Sequence, residues 1–316
     1  MRVVVLDDYQ NVASVYADWS VISGVDLVSI TEHIDDEATL AAALNGAEVV
    51  VAMRERTKFP ASLFDRLPDL RLLVTTGLGN AVIDLRAAAT HGVIVCGTTG
   101  IITPTSELTW GLIHALARDI VIDDTSVRAG GWQTRVGVGL HGKRLGLIGL
   151  GNLGGLVAKV GLAFGMDVVA WSQNLTAERC EKAGVQLVGK DELLSTSDVI
   201  SIHLVLGDRN RGLIGAAELA AMKPTALLIN TSRGPIIDET ALIDALRRGV
   251  IGGAGLDVFD VEPLPADHPL RSMPNTVVTP HTGYVTAEVY DIFFREIVED
   301  IQAWIGGTPV RVLQPR

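Results

Sequence analysis

The sequence carries little that would cross-link it, bind it to a polyanion or send it through a membrane. Only two cysteines occur, Cys96 and Cys180. They lie far apart and lack any Cys-x-x-Cys or Cys/His ligand spacing, so neither a disulfide framework nor a structural zinc is expected, and no metal is assigned. Basic charge is also short, with 26 Lys and Arg against 37 Asp and Glu and a formal net charge of −11. Such a chain is repelled at long range by nucleic acid and by anionic lipid, so neither is an expected partner. The opening Met1-Arg2-Val3-Val4-Val5-Leu6-Asp7-Asp8 turns acidic after a short apolar run, unlike a signal peptide or a membrane span, and predicts a cytoplasmic protein. Aromatic residues make up only 5%. Trp110, Trp132 and Trp304 are read as core or interface residues rather than ligands. A small-molecule ligand remains, and an anionic one needs a local cation, which makes single arginines informative.

What is abundant is aliphatic and glycine residues. With 316 residues, 48% of them hydrophobic, and 33 glycines, the chain is long enough for two core-forming domains. Short β-branched runs alternate with helical patterns, which predicts an α/β fold of two Rossmann-like, doubly wound parallel-sheet domains. Expected strands in the first third are Val3–Leu6, Val49–Met53, Leu72–Thr75 and Val93–Val95. Residues 36–47 have helical periodicity, and Asp84 reads as an N-cap. A long helix is expected over residues 105–118. The Gly/Trp-containing segment 129–142 after it has no period and is left open as an arm, a linker or a dimer contact. A second series of strands is expected at Leu145–Ile148, Val168–Trp171, Val199–Ile202, Ala226–Asn230, Gly253–Asp257 and Val277–Thr279. Near the end, Val289, Ile292, Phe293, Ile297, Ile301 and Trp304 share one helical face that needs a partner, and the first domain is a candidate for it.

The run from Arg144 to Gly154 joins an apolar strand to an amphipathic helix through Gly149-Leu150-Gly151-Asn152-Leu153-Gly154. In that pattern Gly149 permits a tight turn, Gly151 lets a pyrophosphate approach the backbone, and Gly154 lets helix and strand pack closely. The helix start then offers free N–H groups to phosphate. A glycine turn that merely joins strand to helix is the bland alternative, and the register of strand, helix and following strand favours the dinucleotide reading. The next strand, however, ends Trp171-Ser172-Gln173-Asn174, so Ser172 stands where an NAD site usually has Asp or Glu. Asp167 lies at the wrong end of that strand. NAD and NADP therefore both stay open as cofactor.

Three polar residues follow expected strands at the edge where open α/β sheets bind ligands: Arg233 in Asn230-Thr231-Ser232-Arg233-Gly234, Glu262 after Gly255-Leu256-Asp257-Val258-Phe259, and His281 in Thr279-Pro280-His281-Thr282-Gly283. Taken one at a time, each is more ordinarily a surface charge or a turn residue. Together they match a chemistry. Reduction of a keto carbon needs a proton for its oxygen, which a histidine supplies near neutral pH. A carboxylate on the other ring nitrogen fixes the tautomer and stabilises the imidazolium, and a guanidinium holds a substrate carboxylate by paired hydrogen bonds.

These segments, in this order, resemble the arginine, glutamate and histidine motifs of the D-isomer-specific 2-hydroxyacid dehydrogenases, and the likeness runs across nearly the whole chain. The resemblance implies a discontinuous substrate-binding domain of residues 1–99 plus 285–316 and a dinucleotide domain of residues 100–284. It implies hydride transfer between a nicotinamide and a small 2-keto or D-2-hydroxy acid, with His281 as acid/base, Glu262 as its partner and Arg233 as the anchor, gathered in a cleft between two lobes. It also implies that Asn152 and Leu153 lie under the pyrophosphate, Thr231 and Ser232 border the nicotinamide ribose, and Asp257 approaches the nicotinamide amide. His203 and Val205 pass the adenosine side, although the family more often has proline at Val205, and Gly283 belongs with the His281 motif. Thr76-Gly77-Leu78-Gly79-Asn80 is similar to the substrate-carboxylate loop, which makes Leu78 and Gly79 substrate contacts through backbone N–H groups. Ala81-Val82 replaces the Asp-Asn pair that follows in the family. Arg54 is either a second substrate contact or a surface charge. His91, His114 and His141 are read as structural.

A homodimer through residues 105–142 is the family expectation, and no appended regulatory domain is expected. The rival readings are an NADH-sensing corepressor without turnover, a formate-dehydrogenase-like enzyme, and a hydride-transfer enzyme outside the hydroxyacid class. The Glu262 partner disfavours the formate reading, because a glutamate is useful only where the histidine carries a proton.

Overall fold

The computed structural model describes residues 1–315. Contacts divide the chain into two compact units, Met1–Ile101 with Val285–Arg316, and Ile102–Tyr284.

In the first unit five short strands form an all-parallel sheet: β1 (Arg2–Val5), β2 (Asp26–Ser29), β3 (Val49–Ala52), β4 (Leu72–Thr75) and β5 (Ile94–Gly97), in the order β2-β1-β3-β4-β5. β3 and β4 are buried along their whole length, as a sheet covered on both faces requires, and this explains why all their residues but Thr75 are aliphatic. β2 is a strand the sequence did not announce. At the sheet edge its residues are exposed or half-buried, so Asp26-Leu27-Val28-Ser29 needs no apolar run. Asp84 caps the helix Leu85–Thr90 as its sequence position predicts, accepting the N–H groups of Arg86 and Ala87.

The last helix, Ala287–Ile305, belongs to this unit. Its buried face contains Val289, Phe293, Ile297 and Ile301, widened by Tyr290, Phe294 and Val298, while Ile292 and Trp304 are only half-buried. Thr286 accepts the N–H of Val289 at its start, a cap that ordinarily contributes about 1 kcal/mol. Asp300 on the same helix is fully buried. Burial pushes its carboxyl up to about 7, against the opposing pull of the Arg311 guanidinium 3.0 Å away.

The second unit holds seven parallel strands: β6 (Arg144–Ile148), β7 (Asp167–Trp171), β8 (Gln186–Leu187), β9 (Val199–Ile202), β10 (Leu227–Asn230), β11 (Gly253–Leu256) and β12 (Thr276–Val278). Their order is β12-β11-β10-β9-β6-β7-β8. The two-residue β8 is too short to leave a sequence pattern. The direction of winding reverses at β6, with β7 on one side and β9 on the other, and such a switch point opens a crevice at the carboxyl ends of the strands. Register makes that edge level. Ile148 pairs with Trp171 and Ile202, Asn230 with Ile202 and Leu256, and Leu256 with Val278. The residues just beyond, Gly149, Ser172, His203, Thr231, Asp257 and Thr279, therefore line one rim.

The long helix is Thr103–Ala117. A second helix, Ile120–Arg128, follows it and was not expected, since its β-branched Ile-Val-Ile start argues for a strand and none of its residues is buried. Residues 129–142 contain no helix or strand, and Trp132 and Val136 are 74% and 96% exposed. Among the described residues no helix is long and apolar enough to cross a membrane.

Candidate active site

The loops after β10, β11 and β12 are tied into one assembly. Beyond β12, His281 sits in a left-handed backbone conformation at φ 53°, which for a residue other than glycine must be held by its surroundings. Asp257, just past β11, does the holding. It is buried, and its carboxylate accepts the Thr279 hydroxyl at 2.6 Å and the backbone N–H groups of Thr282 and Gly283 at 2.8 Å each. Burial pushes the Asp257 carboxyl up, against these hydrogen bonds and the His281 charge. Glu262 lies 2.6 Å from His281 through its Oε2 and Nδ1, while its Oε1 accepts the N–H of Phe259 at 2.9 Å. Both carboxylate oxygens are thereby fixed. With Nδ1–H donating to the carboxylate, Nε2 is the nitrogen left to exchange a proton with a ligand.

The Arg233 loop reaches the same place by close approach of backbone. A Cβ on Gly234 would overlap the carbonyl of Phe259, so only glycine lets this loop lie on the loop of Glu262. Arg233 itself donates to the Ser232 carbonyl at 2.7 Å, and its own carbonyl accepts the Asn230 side chain at 2.9 Å. The two hydroxyls before it point into the protein: Ser232 donates to the Ile202 carbonyl at 2.7 Å, and Thr231 meets Thr109 at 2.9 Å. The structure thus brings Arg233, Glu262 and His281 onto three neighbouring loops of one rim. An acid partner on one ring nitrogen and an arginine carried on the loop that packs against the Glu262 loop suit proton transfer to an anionic carbonyl compound.

Two strands away, Gly149 (φ +105°) turns the chain after β6, pinned by its N–H to the Trp171 carbonyl at 2.8 Å. A Cβ on Gly149 would strike the His203 carbonyl, and one on Gly154 would strike the Gly149 carbonyl, whereas space beside Gly151 is open. The helix Asn152–Ala163 that follows has no side-chain cap, so its first N–H groups are offered outward. His203 is half-buried, with Nε2 3.0 Å from the Ser201 hydroxyl and a buried Nδ1 without a hydrogen-bond partner among the described residues. Burial pushes its pKa down to about 4 and keeps it neutral. Val205, by contrast, is 87% exposed.

Residues 110–283 match the family described as the D-isomer specific 2-hydroxyacid dehydrogenase, NAD binding domain. The chain belongs to that family.

A glyoxylate reductase of Aeropyrum pernix is 41% identical over 260 residues, covering 79% of this chain and 78% of that protein. A D-3-phosphoglycerate dehydrogenase of Archaeoglobus fulgidus is 35% identical over 306 residues, 90% of this chain but only 58% of the longer relative. In structure, a phosphoglycerate oxidoreductase of Vibrio cholerae superposes with a TM-score of 0.92 at 33% identity, covering 97% of this chain and 99% of that one. The cofactor of this dehydrogenase is NAD(P). The glycine cradle fits it, because the turn is open only at Gly151 and the uncapped helix start can take a pyrophosphate.

Of the substrate residues expected from the sequence, Arg233 lies in the second unit of this dehydrogenase, whereas Arg54, Leu78 and Gly79 lie in the first unit. Arg54 follows β3 with a positive φ of 53°. Its N–H donates to Thr76 at 2.9 Å and its carbonyl accepts Asn80 at 2.6 Å. Its guanidinium lies over Gly77, where a Cβ would overlap it. The Gly77 N–H is taken by the Thr98 hydroxyl at 3.0 Å, and the N–H groups of Leu78 and Gly79 after it meet no backbone acceptor within the described residues. Asn80, Asp257 in its loop-holding part, and Gly234 were not visible as such in the sequence. Each acts on residues distant along the chain, and only a glycine or an amide in an otherwise ordinary loop marks the place. Among the described residues no group of three His, Cys, Asp or Glu is placed to hold a metal ion.

Proposed function

We propose that this chain reduces small 2-keto acids, or oxidises the matching D-2-hydroxy acids, with residues 100–284 binding NAD(P) and residues 1–99 with 285–316 binding substrate. The observation that carries the reading is the 2.6 Å His281–Glu262 bond beside the Arg233 loop. The bound nicotinamide supplies or accepts the hydride. Arg233 pairs with the substrate carboxylate and polarises the adjacent carbonyl. His281 gives a proton from Nε2 to the carbonyl oxygen in reduction and takes it back in oxidation, while Glu262 holds the ring and balances the imidazolium charge. Asn152, Leu153 and Gly154 face the pyrophosphate, Ser172 and His203 the adenosine side with Val205 at its rim, and Thr231, Ser232, Asp257 and Gly283 the nicotinamide side. In the first unit, the Leu78 and Gly79 N–H groups, next in the chain to the Gly77 that the Arg54 guanidinium covers, make an anion-binding corner suited to a carboxylate.

The purified protein is expected to oxidise NADH or NADPH when given glyoxylate, hydroxypyruvate or pyruvate, followed by loss of reduced-nucleotide absorbance. Tight nucleotide binding with no turnover on any of the three would replace the reading with a sensor. The exposed Ile120, Val121, Val127, Trp132, Val136 and Val138 give the segment 105–142 an apolar surface suited to a second copy of the chain. Sedimentation is expected to show a dimer, and a monomer at working concentrations would remove this interface.

A further inference from the structure

We propose that the adenosine-ribose corner of this site selects a dinucleotide bearing a 2′-phosphate, with Ser172 as the deciding residue; the inference rests on the dinucleotide reading above. Ser172 is the first residue beyond β7, and the Trp171 carbonyl before it holds the N–H of Gly149 at 2.8 Å, so Ser172 stands beside the glycine turn. In a dinucleotide site this is the position from which a carboxylate binds the ribose hydroxyls and repels a 2′-phosphate. Neither the carboxyl end of β7 nor the turn after it, residues 168–177, carries a carboxylate. Asp167 opens the same strand and is paired with Arg144 at 2.6 Å, and at the rise of an extended strand it is about 16 Å away, beyond the range of screened charge. The first acid after the strand is the exposed Glu178.

What stands at the corner instead is a set of uncommitted donors. Residues 172–175 close a turn, with the Leu175 N–H on the Ser172 carbonyl at 3.1 Å, and Thr176 caps the following helix. The Ser172 hydroxyl and the Gln173 and Asn174 amides form no hydrogen bond within the described residues, and Gln173 and Asn174 are exposed. Arg179, on that next helix, is exposed and has no acidic partner among the described residues. A hydroxyl and two amides can donate hydrogen bonds to a phosphate, while neither β7 nor the turn after it offers ribose hydroxyls the carboxylate that would reward them.

The test is equilibrium binding, read by nucleotide fluorescence and independent of turnover. The wild-type protein is expected to bind NADPH tighter than NADH by about tenfold or more, and Ser172→Asp to abolish or reverse that ratio chiefly by weakening NADPH. Adenosine 2′,5′-bisphosphate is expected to raise the melting temperature of the wild type more than AMP does. NADH binding as tight as NADPH in the wild type overturns the inference and leaves the dinucleotide site intact. Equal weakening of both nucleotides by Ser172→Asp removes Ser172 as the deciding residue. Failure of either nucleotide to bind the wild type overturns the dinucleotide reading together with this one.

Discussion

Substitution of His281 by alanine is expected to lower kcat by about 10²- to 10⁴-fold, the usual span for removing a positioned acid/base group, while the dissociation constant for NAD(P)H changes little. The reason lies in how the residue is held. Glu262 fixes Nδ1 at 2.6 Å, and its other oxygen is fixed in turn by the Phe259 N–H at 2.9 Å. Asp257 anchors the histidine's loop through Thr279, Thr282 and Gly283. A ring so constrained can present Nε2 to one ligand atom, and alanine removes the proton donor without disturbing those anchors. The dinucleotide turn lies elsewhere on the rim, beyond β6, which is why nucleotide affinity is the control. Steady-state kinetics with fluorescence titration reads both quantities. Near-normal turnover in His281→Ala would end the assignment.

Conversion of Arg233 to lysine is expected to lower kcat/KM for the keto acid by about 10²-fold, although the charge is kept. Lysine offers a point charge where arginine offers a planar fork, and losing a charge-assisted hydrogen bond costs about 1.5–3 kcal/mol. Lysine also forgoes the bond from the guanidinium to the Ser232 carbonyl, which sets the direction of the side chain. The backbone that carries the residue is secured independently, by Asn230 on the Arg233 carbonyl and by Gly234 against the Phe259 loop. The loss should therefore appear against the acid substrate and not against the nucleotide. A lysine variant with unchanged kcat/KM would show that Arg233 does not touch the substrate carboxylate.

Both predictions use residues that could be picked out before any coordinates, and the reason is that each follows a strand. A strand buried on both faces of a parallel sheet is mostly aliphatic, as β3 is throughout and β4 and β9 are apart from Thr75 and Ser201. The first polar residues after such a run then fall at the sheet's carboxyl edge by geometry alone. Edge elements escape this logic. β2 and β8 are exposed or half-buried, and the helix Ile120–Arg128 buries nothing, so none of them needs a pattern. Arg54 was undecided in the sequence because an arginine after a strand is as much at home in solvent as on a ligand. Its left-handed backbone, held by Thr76 and Asn80, and its guanidinium over Gly77 favour the ligand side.

The sequence by itself determined the alternation of strands and helices, the glycine turn from Gly149 to Gly154, and which residue types stand after each strand, because these depend on local periodicity and on backbone freedom that few residues permit. Only the tertiary structure decided that Glu262 meets His281, that Asp257 holds the histidine's loop, and that Gly234 lets the arginine's loop lie on the loop of Glu262. Those contacts are set by strand order and register, which bring distant segments level along one rim, and no local pattern encodes which loop lies beside which.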